Sequence, residues 1–550
     1  MVPSCRIHVT RASSNAMRAS SYFITRKGAH AKLPVELHVG EGGKGGRACR
    51  KSRRRLRDHE AFLAHFKLTN TADGLKSLRK IANFTKKSLG KVYTSLKSRL
   101  KKLILSLEKA NMLKRKVIDQ LVAWKADANR KPVVLKGCRQ CGKTFAARTF
   151  AAENYDNVVY VNFFENPGAK DIFADALDVD RIIMMASAYL GPSIHFVPGS
   201  TVLILDEIQE CPQARTALKF FSIDGRYDVI GTGSLLGVAG YGDEPASIPV
   251  GYETVIDMYP LDFEEFLWAN GIVEPIVDML RECLESETPV PTALHSRMRS
   301  LILEYAVVGG MPDAVQSFVD NRDMAKVLHI QRDIVRAYED DMVKYASAAD
   351  KPLIKQCFQS IPRQLARENK KFQYSTIKKG STAARFAGSL QWIEDAGITV
   401  RCNNLSITEL PLDGNSVEDQ FKIYMADTGL FVSMLEDGTQ FDILNGNLFG
   451  YKGAIFENLV ADIFSKMDRR LYYFKKDSGL ELDFVIRYRG KCVPVEVKAR
   501  DGNAKSVKTV LKHPEKYRID SAIKLADLNI GRTGAILTLP LYMAFLLTER

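Results

Sequence analysis

Residues 137–144 read Gly-Cys-Arg-Gln-Cys-Gly-Lys-Thr, and their types and spacing match the G-x-x-x-x-G-K-[ST] pattern of a loop that binds phosphate groups. The preceding residues, 131–136, form a short β-branched run, and residues 145–154 are rich in alanine and lack glycine and proline. The loop is therefore expected between a strand and a helix, which is the context that the pattern needs. A glycine-containing turn with a chance Gly-Lys-Thr is the alternative.

Four residues of this loop would carry its chemistry. Gly137 and Gly142 allow backbone N–H groups to turn toward phosphate oxygens, and the N-terminus of the following helix adds a partial positive charge. Lys143 would reach the β- and γ-phosphates of ATP, and the Thr144 hydroxyl would ligate Mg²⁺. The loop thus predicts ATP and Mg²⁺ as ligands.

Two acidic residues follow a strongly apolar run further along the chain. Residues 201–207 read Thr-Val-Leu-Ile-Leu-Asp-Glu, which is typical of a strand buried on both faces of a parallel sheet. Such sheets bind ligands at the carboxyl ends of their strands. Asp206 would hold Mg²⁺ directly or through water, and Glu207 would polarise the water that attacks the γ-phosphate. A core strand that ends in a solvated acidic turn is the alternative.

A third strand is predicted in residues 227–234, which read Tyr-Asp-Val-Ile-Gly-Thr-Gly-Ser. Its end offers the hydroxyls of Thr232 and Ser234 as sensors of the γ-phosphate, or as parts of a turn that only packs. Strands and helices alternate from Met112 to about residue 260. This alternation predicts an α/β fold with the parallel sheet core of a P-loop NTPase.

A second set of candidate chemical groups lies near the C-terminus, where two alternating runs flank Arg489-Gly490 within residues 480–500. A hairpin centred on this turn places Asp483 opposite Glu496, and Glu481 opposite Lys498. The same alternation places the apolar residues together on the core face. These are Leu482, Phe484, Ile486, Val493, Val495 and Val497.

Like charges that face each other across two strands are destabilising unless something neutralises them. A divalent cation would do so, with Asp483, Glu496 and a helical carboxylate from Glu457 as ligands for Mg²⁺ or Mn²⁺. Lys498 would stand beside the metal and orient or activate a water. Asp, then Glu-x-Lys, with a Glu on a preceding helix resembles the arrangement of PD-(D/E)XK metal-dependent nucleases. A solvated hairpin in which Lys498 bridges both acids is the alternative.

The composition limits the classes of partner. The chain of 550 residues has a formal net charge of +15, but residues 1–110 carry 26 Lys and Arg against 6 Asp and Glu, whereas the rest carries 53 against 58. Nucleic-acid binding argued from overall charge would therefore rest on the first fifth alone. Nine scattered cysteines indicate a reducing compartment, so a cytoplasmic location is expected, and we interpret Cys138 and Cys141 as small loop fillers. No apolar run approaches the ~18 residues that span a membrane.

Five regions are predicted along the chain. Residues 1–111 form a basic, disordered or helical extension, for which a transit peptide or an over-extended start are further interpretations, and residues 112–260 form the ATPase core. Residues 261–350 are helical, and residues 351–415 have the succession of a winged-helix-like unit, which could read DNA or serve only as a lid. Residues 416–550 form the nuclease-like α/β domain.

From about Met112 onward, the chain resembles a prokaryotic family of AAA-type ATPases whose C-terminal half is a domain of unknown function with a nuclease-like tail. The resemblance rests on Gly137 to Thr144, Leu205-Asp-Glu-Ile-Gln209, Gly233-Ser-Leu-Leu-Gly237, Tyr259-Pro-Leu-Asp-Phe-Glu-Glu-Phe-Leu267, Gly309-Gly-Met-Pro312, Glu368-Asn-Lys-Lys-Phe-Gln-Tyr374, Ala426-Asp-Thr-Gly429, Phe456-Glu-Asn458, and Asp483 with Glu496-Val-Lys498. It implies an ATP-binding P-loop protein with a winged-helix-like middle and a nuclease-like end. Tyr252 stands where the family commonly has a basic residue.

Two functions fit these observations. In the first, Mg·ATP bound and hydrolysed through Lys143, Thr144, Asp206 and Glu207 controls a C-terminal nuclease, with DNA as candidate substrate. In the second, the nuclease-shaped module cuts nothing and serves as an interaction module within a nucleotide-operated switch. The mildly acidic balance of the chain beyond its first fifth favours the second. A protein partner or a homo-oligomer fits both, and a basic N-terminal helix that binds membrane or nucleic acid is a third interpretation.

Overall fold

The fold is described from a computed structural model, which covers residues 7–8, 23–26, 29–32, 112–192, 194–234, 250–345, 350–367, 370–447, 452–498 and 504–549. The chain divides into two compact units, Met1–Met112 and Leu113–Arg550. This division lies one residue from the boundary predicted between residues 111 and 112. Among the helices in these stretches, none has both the length and the apolar character needed to cross a membrane.

The first unit contains an antiparallel sheet of three short strands, β1 (Ile7–His8), β2 (Phe23–Arg26) and β3 (Ala29–Lys32). The sheet differs from the predicted disordered or helical extension, because the aromatic and β-branched residues that open β2 favour a strand. The basic helix predicted at residues 75–110 lies outside the described residues.

A five-stranded sheet occupies the N-terminal part of the second unit. Its strands are β4 (Val133–Lys136), β5 (Asn157–Asn162), β6 (Thr201–Asp206), β7 (Asp228–Gly233) and β8 (Thr254–Asp257). All neighbours pair in parallel, in the order β5-β6-β7-β4-β8. Because β7 lies between β4 and β6, the segments that follow these three strands meet at one edge of the sheet. This is the predicted α/β parallel-sheet core of a P-loop NTPase.

Helices cover both faces of this sheet. They are α1 (Lys116–Ala126), α2 (Lys143–Asn154), α3 (Val179–Leu190) and α4 (Pro212–Asp224), with a 3₁₀ turn at Pro167–Phe173. Alternate residues of β6 point to opposite faces: Val202 and Ile204 join the core that contains α1 and α2, whereas Leu203 and Leu205 join the core that contains α3 and α4. Every residue of β6 is buried, as its continuous apolar run predicts.

A helical region follows the sheet, as predicted. Its helices are α5 (Phe263–Ala269), α6 (Glu274–Ser286), α7 (Thr292–Val308), α8 (Pro312–Asn321) and α9 (Met324–Tyr345), and three more follow, α10 (Lys351–Leu365), α11 (Tyr374–Ile377) and α12 (Ala383–Asp395). The 22-residue helix α9 is the longest of these, and its C-terminal half packs against the loop that follows β4.

A hairpin of β9 (Thr399–Leu405) and β10 (Ser416–Met425) comes next. The boundary predicted between residues 415 and 416 falls between these two paired strands. In addition, β9 pairs in parallel with β11 (Leu471–Lys475), so the hairpin belongs to a sheet that continues into the C-terminal region. The predicted succession of helices and a hairpin is present, and the pairing of β9 with β11 carries the hairpin beyond residue 415.

The C-terminal region is built on a second five-stranded sheet. The elements of this region are α13 (Thr428–Ser433), α14 (Thr439–Asn445), α15 (Lys452–Ser465), β12 (Glu481–Leu482), β13 (Phe484–Tyr488), β14 (Lys491–Val497), α16 (Lys505–Leu511), α17 (Pro514–Tyr517), β15 (Ala522–Ala526), β16 (Gly531–Thr533), β17 (Ile536–Pro540) and a 3₁₀ turn at Leu541–Leu546. The strands of the sheet lie in the order β13-β14-β15-β17-β16. Phe484 packs with α15 on one face, and Val485 packs with α16 on the other. The hairpin of β13 and β14 is thus buried on both faces.

A buried polar junction joins the helical region to this C-terminal region. The Gly310 N–H donates to Asp427 Oδ2 at 2.6 Å, and Lys466 Nζ lies 2.6 Å from Asp462 Oδ1 and donates to the Leu261 carbonyl at 3.2 Å. A Cβ on Gly310 would lie 2.0 Å from that same carbonyl oxygen, so only glycine fits there. The glycine pair and the Asp-Thr-Gly stretch singled out in the sequence therefore share one structural role.

Candidate functional site

The phosphate loop lies between β4 and α2, as predicted. Gly142 has a φ of +99° and caps the N-terminus of α2, so the helix begins at Lys143. A Cβ on Gly137 would lie 2.0 Å from the Met258 carbonyl oxygen, so the loop passes too close to the segment after β8 for any side chain there. Both glycines are thus required by the path of the backbone. The N–H groups of the first helical turn remain available to an anion.

Lys143 lies inside the loop and is 7% exposed. Its Nζ donates to the carbonyl oxygens of Gly137 at 3.0 Å and Cys138 at 2.7 Å, so the ammonium is held at the centre of the loop. A phosphate oxygen is a stronger acceptor for an ammonium than a neutral carbonyl. The lysine is therefore placed to exchange these two carbonyls for the phosphates of a nucleotide.

Asp206 collects hydrogen bonds from four neutral donors. The Thr144 hydroxyl donates to Oδ1 at 2.9 Å, the Tyr160 phenol and the Asn162 amide donate to Oδ2 at 2.6 Å and 3.0 Å, and the Thr232 hydroxyl donates to Oδ1. Burial and the hydrogen bond to Asp206 raise the pKa of Tyr160 to about 12, so this phenol keeps its proton at neutral pH. Neutral donors orient the carboxylate without cancelling its charge.

The charge of Asp206 has no cationic partner within the described part of the chain. The carboxylate is 2% exposed, and its bonded partners there are two hydroxyls, a phenol and an amide. A buried, oriented carboxylate beside a threonine hydroxyl suits Mg²⁺, which prefers oxygen ligands. Thr144 and Asp206 therefore fit the predicted magnesium site.

Glu207 follows directly at the end of β6, with left-handed backbone angles of φ 53° and ψ 48°. Its Oε2 accepts hydrogen bonds from the Gln209 side-chain amide at 2.6 Å and from the Ser234 hydroxyl at 3.4 Å. Thr232 and Ser234 are the residues predicted as sensors of the γ-phosphate. The Thr232 hydroxyl donates to Asp206, and the Ser234 hydroxyl donates to Glu207. The stretch that continues from Ser234, residues 235–249, lies outside the described residues.

The C-terminal half of α9 packs against the outside of the phosphate loop. The Tyr338 hydroxyl donates to the Arg139 carbonyl at 3.1 Å, and Arg139 Nη1 forms an ion pair with Asp341 at 2.5 Å. The hydrogen bond with Cys138, reinforced by the charge of Lys143, lowers the pKa of the Cys141 thiol to about 6. Both cysteines are free thiols that interact through this hydrogen bond, so they do more than fill space in the loop. A helix outside the sheet also touches the loop directly.

Tyr252 lies beside helix α4, where the family resemblance led us to expect a basic residue. The Lys219 ammonium is 5.3 Å from the centre of the Tyr252 ring, and the next residue, Glu253, forms a buried ion pair with Arg215 at 2.8 Å. Helix α4 therefore brings two basic side chains to this position.

The C-terminal hairpin has the register that the sequence predicts. Phe484 pairs with Val495 and Tyr488 with Lys491, and Arg489 and Gly490 form the turn with φ of 51° and 73°. The six residues assigned to the core face are buried. The opposite face is buried as well, because α16 covers it.

The pairing stops at Asp483, which corrects part of the predicted geometry. Asp483 Oδ2 accepts a hydrogen bond from the Val497 N–H at 2.9 Å. Before Asp483 the chain turns away, and β12 pairs with β11, where Glu481 lies opposite Lys475. Glu481 therefore does not face Lys498, because its strand leaves the hairpin for a different sheet.

Lysines neutralise most of the acids around this hairpin. Lys422 is fully buried and lies 2.8 Å from Glu481 and 3.7 Å from Glu457, which also forms an ion pair with Lys370. Burial opposes ionisation of Glu481, but the charges and hydrogen bonds of Lys422 and Lys475 together outweigh it and lower the pKa of Glu481 to about 2. The acids are thus held as charged partners of lysines.

Glu496 and Asp483 are neutralised less completely than the other acids around this hairpin. Glu496 Oε1 lies 2.6 Å from Lys498 Nζ, but its Oε2 is buried and has no hydrogen-bond partner among the described residues. Burial, followed by the charges of Glu457 and Glu496, raises the pKa of Asp483 to about 8. The described stretches contain no group of three His, Cys, Asp or Glu side chains that could hold a metal ion. The carboxylates of Glu457, Asp483 and Glu496 would therefore have to come closer to one another to bind a metal ion.

Several residues at these two sites escaped sequence reasoning: Tyr160, Asn162, Gln209, Lys370 and Lys422. Tyr160 and Asn162 lie at the end of β5, the strand that neighbours β6. Because they are two residues apart, their side chains are on the same face of the strand, and both reach Asp206. A lone lysine within the apolar run of β10 could have marked Lys422 as a buried charge that needs acidic partners. No local pattern marks the other two.

Three segments match models of known domains. Residues 129–267 match the model of an AAA domain. Residues 299–440 match a domain of unknown function (DUF8612), and residues 452–541 match another (DUF4143). The first match spans the phosphate loop, both acids of β6 and the whole parallel sheet. The chain is therefore similar to AAA-type P-loop ATPases in this segment, a fold that implies use of a nucleotide, usually with Mg²⁺.

Solved structures with partial similarity to this chain include the following three. A Walker-type ATPase of Pyrococcus abyssi is 13% identical, with a TM-score of 0.35 over 59% of this chain and 96% of that chain. The Aeropyrum pernix Orc1 protein, solved in complex with DNA, is 14% identical, with a TM-score of 0.24 over 60% and 91%. The Thermotoga maritima RuvB Holliday junction branch migration motor is 14% identical, with a TM-score of 0.24 over 52% and 90%. Scores this low support no functional argument, and no curated protein matches the chain.

Proposed function

We propose that this protein binds Mg·ATP at the loop between β4 and α2, hydrolyses it, and uses the change in phosphate state to control its C-terminal region. The proposal rests mainly on the environment of Asp206. This buried carboxylate is oriented by four neutral hydrogen-bond donors, which do not cancel its charge. The N–H groups at the start of α2 and the ammonium of Lys143 would hold the phosphates.

The chain's own residues supply the remaining parts of the hydrolytic site. Thr144 and Asp206 would hold the magnesium ion, which neutralises charge on the phosphates. Glu207 would orient the attacking water and accept its proton. Thr232 and Ser234 are proposed to report the loss of the γ-phosphate through their bonds to the two acids.

We further propose that the protein works as a nucleotide-operated switch whose nuclease-shaped module is a non-cutting interaction module. Helix α9 touches the phosphate loop through Tyr338 and Arg139, and the polar junction at Gly310 and Asp427 joins the same helical region to the C-terminal sheet. A change at the loop therefore has a continuous packed route to that sheet. The ion pairs of Lys422 with Glu457 and Glu481 favour a structural role for these acids.

The test is ATP turnover and hydrogen exchange on the full chain. Wild-type protein should hydrolyse ATP, Lys143→Ala should lose the activity, and the surface variant Lys326→Ala should keep it. Addition of Mg·ATP should change amide exchange within residues 452–498 in wild type and leave Lys143→Ala unchanged. Equal turnover in wild type and Lys143→Ala would refute the proposal.

A metal-dependent nuclease that acts on DNA is the second candidate function. It is favoured by the unpartnered Oε2 of Glu496 and by the raised pKa of Asp483, because a cation would satisfy both. Glu457, Asp483 and Glu496 would then hold Mg²⁺ or Mn²⁺, and Lys498 would orient a water. Plasmid and linear DNA incubated with the full chain and either metal should be cut by wild type only. Cutting that survives Asp483→Ala and Lys498→Ala would exclude this candidate.

A further inference from the structure

The amide of Gln209 has an orientation that only Glu207 can explain. Gln209 Nε2 donates to Glu207 Oε2 at 2.6 Å. Because an ionised carboxylate has no proton to give, the nitrogen must face it and the amide oxygen must point away. That oxygen, Gln209 Oε1, is buried and has no hydrogen-bond partner among the described residues. The protein leaves one end of this amide unsatisfied so that the other end can hold the carboxylate.

The backbone conformation also brings the side chains of Glu207 and Gln209 together. Glu207 adopts left-handed angles, which a residue with a Cβ rarely does, and Gln209 sits in the 3₁₀ turn Ile208–Glu210 that follows immediately. Strain of this kind is found where a side chain must be aimed. The short turn brings the amide back onto the carboxylate two residues earlier.

The two carboxylate oxygens of Glu207 differ in their hydrogen bonds. Oε2 is taken by Gln209 and by the Ser234 hydroxyl at 3.4 Å. Within the part of the chain that the structure describes, both side-chain hydrogen bonds of Glu207 go to Oε2 and none goes to Oε1, and Glu207 is half-buried. One oxygen is therefore fixed by the protein, and the other is left for a small polar molecule such as water.

We infer that Gln209 is a positioning residue for ATP hydrolysis: it clamps Oε2 of Glu207 so that Oε1 faces the attacking water. The inference rests on the proposed function, since it assigns the control of Glu207 within the same site. A near-attack arrangement is sensitive to displacements of about 1 Å, so a free Glu207 would align the water poorly. Within the described residues, the hydrogen bond of the Gln209 side chain goes to Glu207 and not to the phosphate loop, so Gln209 is not expected to affect nucleotide binding.

The test compares Gln209→Met, which keeps the length and removes the amide, with Gln213→Met, an exposed glutamine at the start of α4. Gln209→Met should lower kcat about 10- to 100-fold, with little change in KM or in the Kd for Mg·ATP. Gln213→Met should match wild type. Gln209→Ala serves as a second variant, with the same expected result, where the methionine side chain disturbs folding.

A double-variant cycle distinguishes positioning from a merely structural role. In a Glu207→Gln background, Gln209→Met should cause no further loss, because the carboxylate it positions is gone. An undiminished kcat in Gln209→Met and Gln209→Ala, or an equal fall in both backgrounds, would overturn this inference alone. Absence of any Lys143-dependent turnover in wild type would overturn the proposed function, and the inference with it.

Discussion

Two groups of buried acids in this protein are stabilised in opposite ways. At the end of β6, Asp206 is surrounded by hydroxyl, phenol and amide donors that leave its charge in place. Beside the C-terminal hairpin, Glu457 and Glu481 share the fully buried Lys422, and Glu496 pairs with Lys498. Both groups contain the residue types that bind a divalent cation.

The difference teaches that acidic residues alone do not predict a metal site. A carboxylate oriented by neutral donors still requires a cation, whereas a carboxylate already paired with lysine does not. The chemistry of the neighbours therefore decides which acid awaits Mg²⁺. By this criterion the nucleotide site is the stronger candidate for metal chemistry. Within the described residues of the hairpin group, Asp483 and Glu496 are the two acids whose charges lysines do not fully neutralise.

The largest expected effect is on ATP turnover, which should depend on the acids at the end of β6 and not on those beside the C-terminal hairpin. Glu207→Gln should lower ATP turnover at least about 100-fold, because the base that we propose to activate water is lost, while Mg·ATP binding persists. The matched variant Glu496→Gln should leave ATP turnover unchanged. Steady-state phosphate release, combined with calorimetric ATP binding, measures both. Equal losses in the two variants would erase the proposed distinction.

The second prediction concerns the stability that Lys422 confers. Lys422→Met should destabilise the protein by about 3 kcal/mol, because removal of one partner leaves buried carboxylates uncompensated. Lys422→Met combined with Glu481→Gln should recover part of that loss. Lys355→Met, which removes a surface ion pair with Glu339, should cost less than about 1 kcal/mol and serves as the control. Urea unfolding measures all three, and a neutral Lys422→Met would contradict the role given to this lysine.

The third prediction is a pH dependence that arises from Asp483. Its pKa is raised to about 8 in the folded protein, so the folded chain keeps a proton that the unfolded chain has released between about pH 4 and pH 8. The contribution of this residue to the free energy of unfolding therefore decreases as pH rises through that window. Asp483→Asn should flatten this part of the profile. An identical pH profile in wild type and variant would show that Asp483 ionises normally.

Much of the nucleotide site could be predicted from sequence, because its signals are local. The spacing of Gly137, Gly142 and Lys143 fixes a loop between a strand and a helix, and the apolar run before Asp206 fixes a buried strand. The parallel order of the sheet then brings the ends of β4, β6 and β7 together. Only the donors from β5 and from the turn after Glu207 needed the structure.

The C-terminal site was less predictable, because its decisive partners are distant in sequence. Alternation and the Arg489-Gly490 turn gave the hairpin register correctly. Nothing local shows that the strand leaves the hairpin at Asp483, or that Lys370 and Lys422 approach Glu457 from other elements. Charge neutralisation by remote lysines is a tertiary property, and a three-residue signature cannot report it.

The most direct test of this account is a calorimetric titration of the full chain with ATP, with and without Mg²⁺. We predict that wild-type protein takes up Mg·ATP at least about tenfold more tightly than metal-free ATP, and that Asp206→Asn loses this difference. Mn²⁺ titrated without nucleotide should give no heat that depends on Asp483. Equal affinity for ATP with and without magnesium, or Mn²⁺ uptake that Asp483→Asn abolishes, would contradict the central distinction between the two groups of acids.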